Sequence, residues 1–297
     1  MIAWLIEPLS YQFMQRGMIV AVLVGVACAV VGCYVVLRSM AFIGDAMAHS
    51  ILPGVAVAYV VKGNLLIGAL VAAVAVAFGV GFFSRQGRLK EDSAIGILFA
   101  AAFSVGIILI SSIRTYAVDL SHILFGNVLG VSTGDLLLTA GLVVLVLLVV
   151  FLLYKELLVV SFDPVLAATL RLPAERLRTV LLVLLALTVV VSLQSVGIGL
   201  VTSMLVTPGA TAFLLSRRLP RMIALSALFG ALSSIIGLYA SYYLNVVSGA
   251  AIVLTATGFF LLAFLFAPRK GLLGKYVLAG ARRKRTPGPG PANPASS

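Results

Sequence analysis

Asp45 and His49 lie four residues apart in the stretch MAFIGDAMAHSILPG, residues 40–54. That spacing puts both side chains on one face of a helix. One carboxylate and one imidazole suit a proton relay or a borderline divalent cation such as Mn2+, Fe2+ or Zn2+; the absence of a thiolate beside them argues against a soft, tightly held ion. Asp45 is the one acidic residue well inside an apolar segment, and His49 is one of two histidines in the chain. Carrying an ionisable group to the middle of a bilayer costs roughly 2.5–3.5 kcal/mol on insertion scales, so such a group points by default to a pathway for an ion or proton. The plainer alternative is an intrahelical Asp–His hydrogen bond buried in a helix bundle.

The rest of the chain supplies that bilayer setting. Of its 297 residues 62% are hydrophobic and only 10% charged, a composition that no soluble domain needs. The formal charge of +12 does not indicate nucleic acid, because the basic residues fall between apolar runs and in the tail, where a membrane protein keeps its cytoplasmic charges. Cys28 and Cys33, five positions apart in an apolar run, suit neither a disulfide framework nor a metal clasp and read as small packing residues. Residues 1–17 lack the basic start and cleavage site of a signal peptide. They read as an interfacial segment with Trp4, Tyr11 and Phe13 at headgroup level.

Apolar runs of spanning length occupy residues 18–37, 41–61, 65–83, 93–112, 136–154, 180–196, 199–215, 222–244 and 250–267. The expected fold is an all-α polytopic transmembrane bundle of eight or nine spans over residues 18–267. The sixth and seventh runs are short and interrupted by Gln194, Gly197 and Gly199, which suits broken or re-entrant helices lining a cavity. Threading the runs alternately puts Arg38, Arg85, Arg88, Lys90, the 155–178 loop, Arg217, Arg218, Arg221 and the C-terminal tail on one side, leaving Arg16, Lys62 and Arg114 on the other. The first side is then the cytoplasm of a multi-pass plasma-membrane protein, with the N-terminus outside and the C-terminus inside. Asp45 and His49 lie about 6 and 12 Å from the cytoplasmic start of the second span, at 1.5 Å per residue. Residues 268–297 form a basic tail rich in Pro and Gly, expected to be disordered, with its basic part near anionic headgroups.

Three more stretches carry information. The outer segment 113–134 contains Asp119, His122 and Gly126-x-x-x-Gly130; a short helix capping the mouth of a pathway and an ordinary loop explain it equally well. In the inner segment 161–178, Ser161 or Asp163 is placed to cap a helix, Pro164 suits its first turn, and Val165, Leu166 and Leu170 form an apolar stripe. This cytoplasmic amphipathic helix either lies flat on lipid or docks a partner subunit. In residues 194–211, Ser203, Met204, Thr207 and Pro208 suit a gate or cavity lining, with Met204 able to brush a soft cation, although small-residue packing explains most of the stretch.

The motifs that are missing narrow the chemistry. No G-x-x-x-x-G-K-[ST] and no H-E-x-x-H occurs, and Gly44-Asp45 lacks the second glycine of an aspartyl intramembrane protease motif. An enzyme has little support, and ATP-driven transport would need a separate ATPase chain. Two ligands on one helix do not close a metal site. Two copies packed about a two-fold axis would bring together two aspartates and two histidines, and the row Ala46, Ser50, Gly54 beside the pair is of the small-xxx-small kind that allows close helix approach. Pro53-Gly54 weakens the helix just beyond and can free a carbonyl toward an ion. A secondary cation transporter or channel, with the pair as an ion or proton relay, is the alternative.

Several blocks in order, VLRSMAFIGDAMAHSILPG, EDSAIGILFAAAFSVGIILIS, DLSHILFGNVLGVS, SFDPVLAATLRLP and LVTSMLVTPGATAFLL, resemble the permease family of ABC-type manganese, zinc and iron importers. TPGATAFLL and SYYLNVVSG look most like its manganese/iron branch. The resemblance implies a homodimeric permease, cytoplasmic ATPase subunits docked on it, an extracytoplasmic solute-binding protein that delivers the metal, and no permanently bound cofactor. By position, Asp45 and His49 match the family's metal-pathway residues. Asp163, Pro164, Leu166, Ala167, Leu170 and Leu172 match the segment that contacts the ATPase. Arg171 stands where the family's pattern has a glycine.

Overall fold

A computed structural model of the chain describes residues 7–40, 42–85, 91–112, 128–162, 164–216 and 218–267. Among them the regular structure is helical: α1 (Gln12–Leu37), α2 (Ile43–Ser50), α3 (Leu52–Val60), α4 (Leu65–Arg85), α5 (Glu91–Ser111), α6 (Thr133–Leu152), α7 (Tyr154–Phe162), α8 (Pro164–Thr169), α9 (Ala174–Val196), α10 (Ile198–Leu215), α11 (Leu219–Leu244) and α12 (Ser248–Phe266). Among the described residues nine spans are long and apolar enough to cross a membrane, with α2 and α3 together forming the second. The expected all-α bundle is what the chain forms.

α1 is the axis of the bundle. It packs on α11, α10, α6 and α9, and 72% of its most apolar window is buried. A hydrophobic force between helices is weak in lipid, so close backbone approach and interhelical hydrogen bonds do most of the joining. Gly32 meets the backbone at Leu205 of α10 so closely that any β-carbon would collide with the Leu205 carbonyl oxygen. On α11, Ser226 Oγ donates to the Ala29 carbonyl and Ser234 Oγ to that of Ala21, both at 2.9 Å. Cys28 and Cys33 are buried free thiols within this core, as their spacing suggested.

The first helix begins at Gln12 and not near residue 18. Met14 is fully buried and Gly17 lies against the backbone of Val128, so the second half of the supposed interfacial segment 1–17 is bundle. Tyr11 and Phe13 keep the expected exposure, while Trp4 lies outside the described residues. The sixth and seventh spans are neither broken nor re-entrant. α9 and α10 are continuous, and the interruption falls between them at Gly197, whose φ of 84° and ψ of 164° belong to a region open almost only to glycine. The helix that breaks is the second span, at Ile51, because Pro53 lacks the N–H that would bond the carbonyl of His49.

Helix ends share one device that the sequence hides. Ser39, Lys62, Arg171 and Asn245 all have positive φ, between 52° and 57°. After each, the next N–H bonds back five residues: Met40 to Val35, Gly63 to Ala58, Leu172 to Ala167 and Val246 to Ser241. This is the Schellman closure, in which glycine is the favoured left-handed residue. Arg171, with φ of 55°, sits at a position where glycine would carry no steric penalty.

Candidate metal site

The two candidate ligands are held by a helix of only eight residues, with Asp45 in its first turn and His49 in its last. Both placements suit the helix dipole, which favours negative charge at the N-terminus and positive charge at the C-terminus. Because α2 starts at Ile43, the pair lies about 3 Å nearer the start of the helix than a start at residue 41 implies.

The histidine does not bond the carboxylate in the way the plainer reading requires. His49 Nδ1 lies 2.9 Å from the Asp45 backbone oxygen, whereas its distance to Asp45 Oδ1 is 3.6 Å, too long for a hydrogen bond. A carbonyl oxygen only accepts, so Nδ1 carries the proton. In its neutral form such a ring presents its lone pair at Nε2, the arrangement found in metal-ligating histidines whose other nitrogen donates to a carbonyl. The Asp45 side chain is 54% exposed and that of His49 24%. Exposed apolar side chains lie just before the pair at Phe42, on α3 at Val57 and on α5 at Ile97 and Ile108. No cluster of three or more His, Cys, Asp or Glu side chains occurs among the described residues, so within them the pair forms no closed cage.

The small-residue row has a different role from the one its spacing suggested. Ser50 is fully buried, and its Oγ donates to the Ala46 carbonyl at 2.6 Å. Gly54 abuts Gly68 of α4, with no room for a β-carbon on either. The row thus packs the second span inside its own chain and does not open toward a second copy.

Pro53 lines an apolar groove of about 520 Å³ between α3, α4 and α5, with Gly54, Val57, Gly68, Val105 and Leu109. The α10 candidates stand apart from the pair. Met204 is fully buried in the core, which removes it from any open passage in this conformation. Ser203 Oγ lies 3.4 Å from Thr207 Oγ1, and Pro208 is buried within a continuous helix. α10 reaches the site helix through Leu205, whose side chain fills the space beside Gly44.

In the inner segment only Pro164–Thr169 forms a separate helix. Ser161 belongs to α7, and its buried Oγ has no hydrogen-bond partner, so it does not cap. Asp163 lies outside the described residues, as do Asp119 and His122. Ala167 is fully buried against Val160 and Leu177, with Leu172 packed on the same cluster. Val165, Leu166 and Leu170 are 73%, 47% and 56% exposed. The helix is anchored by Ala167 and Leu172 and presents its apolar stripe outward.

Two side chains at the site carried no signal in the sequence. Phe99 and Phe103 of α5 form T-shaped contacts with the His49 ring, with centroids 6.0 and 5.6 Å away. Their four-residue spacing in EDSAIGILFAAAFS is visible, but nothing there ties it to a histidine fifty residues earlier.

Known proteins have the same chain pattern. The model of the ABC 3 transport family matches residues 10–267. The manganese transport system membrane protein MntC of Halalkalibacterium halodurans is 50% identical over 270 residues, 91% of this chain and 92% of that protein. The chelated iron transport system membrane protein YfeD of Yersinia pestis is 39% identical over 260 residues, 88% of this chain and 87% of that protein. Among solved structures, PsaBC from Streptococcus pneumoniae in complex with Fab superposes with a TM-score of 0.81 at 40% identity, covering 94% of this chain and the whole of the other. With nine spans, a match across nearly the whole bundle and relatives of this similarity, the chain belongs to the ABC 3 transport family and is a membrane permease subunit of an ABC importer.

Proposed function

We propose that two copies of this permease carry Mn2+ into the cytoplasm through a site built from Asp45 and His49 of each, driven by ATPase subunits that dock on Leu166 and Leu170. The observation that carries the reading is the exposure of the Asp45 carboxylate on an apolar face. Facing lipid, a charge there would cost roughly 2.5–3.5 kcal/mol; facing its twin across a dimer axis, with a cation between, it is neutralised. His49 supports the same geometry, since its Nδ1–H is held by the Asp45 carbonyl and its Nε2 is left to ligate.

Two carboxylates and two imidazoles form a mixed oxygen and nitrogen set that suits Mn2+ and also admits Fe2+ and Zn2+. The manganese protein at 50% identity and the iron protein at 39% favour Mn2+ as cargo. Such a site must be weak enough to release its ion. The one-sided basic residues orient the chain with its N-terminus outside, so a solute-binding protein delivers metal to the outer face and α8 meets the ATPase inside. Closure and opening of the pair then move the ion past Asp45 and His49.

Uptake of Mn2+ by vesicles containing the permease, its ATPase and its solute-binding protein tests the assignment. Asp45→Ala and the Asp45→Ala, His49→Ala double variant are expected to lose transport by at least about a hundredfold while inserting normally, since each removes a charge-bearing ligand from a desolvated site. Transport at the wild-type rate by the double variant would remove the pair from the pathway.

A further inference from the structure

His49 is held from outside its own helix as well as from within it. Phe99 and Phe103 are one turn apart on α5, their rings stacked at a centroid separation of 5.7 Å and 29° between planes. The plane of His49 is nearly perpendicular to both, at 74° and 78°. Three residues beyond Phe103, Gly106 faces the break in the second span: a β-carbon there would come within 2.8 Å of Leu52 Cβ and 3.1 Å of the Pro53 nitrogen. One stripe of α5, at positions i, i+4 and i+7, therefore runs along the span from His49 to its kink. α5 is otherwise the least buried of the candidate spans among the described residues, at 17% of its apolar window, and this stripe is its contact with the second span on the side of His49.

The hydrogen bond from Nδ1 sets the tautomer of His49 but leaves the ring plane free to rock about the Nδ1···O direction. Two edge-to-face contacts remove that freedom, because an aromatic ring offers a flat, weakly negative face that a ring edge seeks. We propose that Phe99 and Phe103 are positioning residues of the metal site: they fix the plane of His49 and hence the direction in which Nε2 meets the ion, which sets the affinity for metal. The inference rests on the reading of Asp45 and His49 as metal ligands. Leucine at either position keeps apolar bulk and loses the aromatic ring; tyrosine keeps the ring.

The test is a Mn2+ titration of the purified permease–ATPase complex, following the electron paramagnetic resonance signal of free Mn2+, with metal-free thermal unfolding measured in parallel. An edge-to-face pair is worth enough to change an equilibrium severalfold, so Phe99→Leu and Phe103→Leu should each raise Kd about threefold and the double variant about tenfold. Phe99→Tyr and Phe103→Tyr should stay within about twofold of wild type. A double leucine variant that binds Mn2+ with the wild-type Kd overturns the proposal, as does a tyrosine variant as impaired as the leucine one at equal thermal stability. Should the double variant fail to assemble, the single leucine and tyrosine variants decide by the same comparison. His49→Ala in the same titration separates the two claims: wild-type binding there overturns the ligand assignment itself, whereas lost binding beside unaffected leucine variants overturns the positioning role alone.

Discussion

α1 and α5 are both apolar helices of spanning length, yet 72% of one window is buried and 17% of the other. α1 is surrounded by its own chain and joined to α10 and α11 through Gly32 and the hydroxyls of Ser226 and Ser234. α5 buries Ala94 and Ile95, meets the second span through Phe99, Phe103 and Gly106, and turns Ile97, Val105 and Ile108 outward. The exposed carboxylate of Asp45 belongs to this second, thinly covered side. Fold and candidate site are thus separated: the tightly interlocked half holds the helices together, and the half that bears Asp45 and His49 is thinly covered.

The same substitution made in both regions sharpens that contrast. Gly32→Ala drives a β-carbon into the Leu205 carbonyl, forcing α1 and α10 apart. A stability loss of about 3 kcal/mol or more is expected, in line with overpacking of a close-packed core, and it would appear as a sharply lowered unfolding temperature in detergent. Gly96→Ala on α5 meets nothing within 4 Å. It should leave stability unchanged or raise it by up to about 1 kcal/mol, the helix preference of alanine over glycine. If Gly96→Ala proved as damaging as Gly32→Ala, the thinly covered side would be as interlocked as the core.

The sequence makes the spans legible because long apolar runs in a bilayer have one solution, a helix with its backbone bonds closed internally. It makes Asp45 and His49 legible for a related reason, since ionisable groups in such runs are rare. Packing partners are far less legible. Ala46, Ser50 and Gly54 show that close approach happens, but a small residue does not name its neighbour, and that neighbour is Gly68 of the same chain. The left-handed helix ends at Ser39, Lys62 and Arg171 are hidden because none is glycine. Gln194, Gly197 and Gly199 mark an interruption, yet only the backbone shows that a single glycine joins two whole helices. Phe99 and Phe103 are silent for a similar reason: their partner is fixed by how α5 leans on α2, and no periodicity encodes that.

The central claim is that the metal site belongs to a pair of chains. Counting Mn2+ bound to the purified permease–ATPase complex tests it most directly. One ion for every two permease chains, lost with Asp45→Ala, is the expected result. One ion for each chain, or one per pair that survives Asp45→Ala, would contradict it.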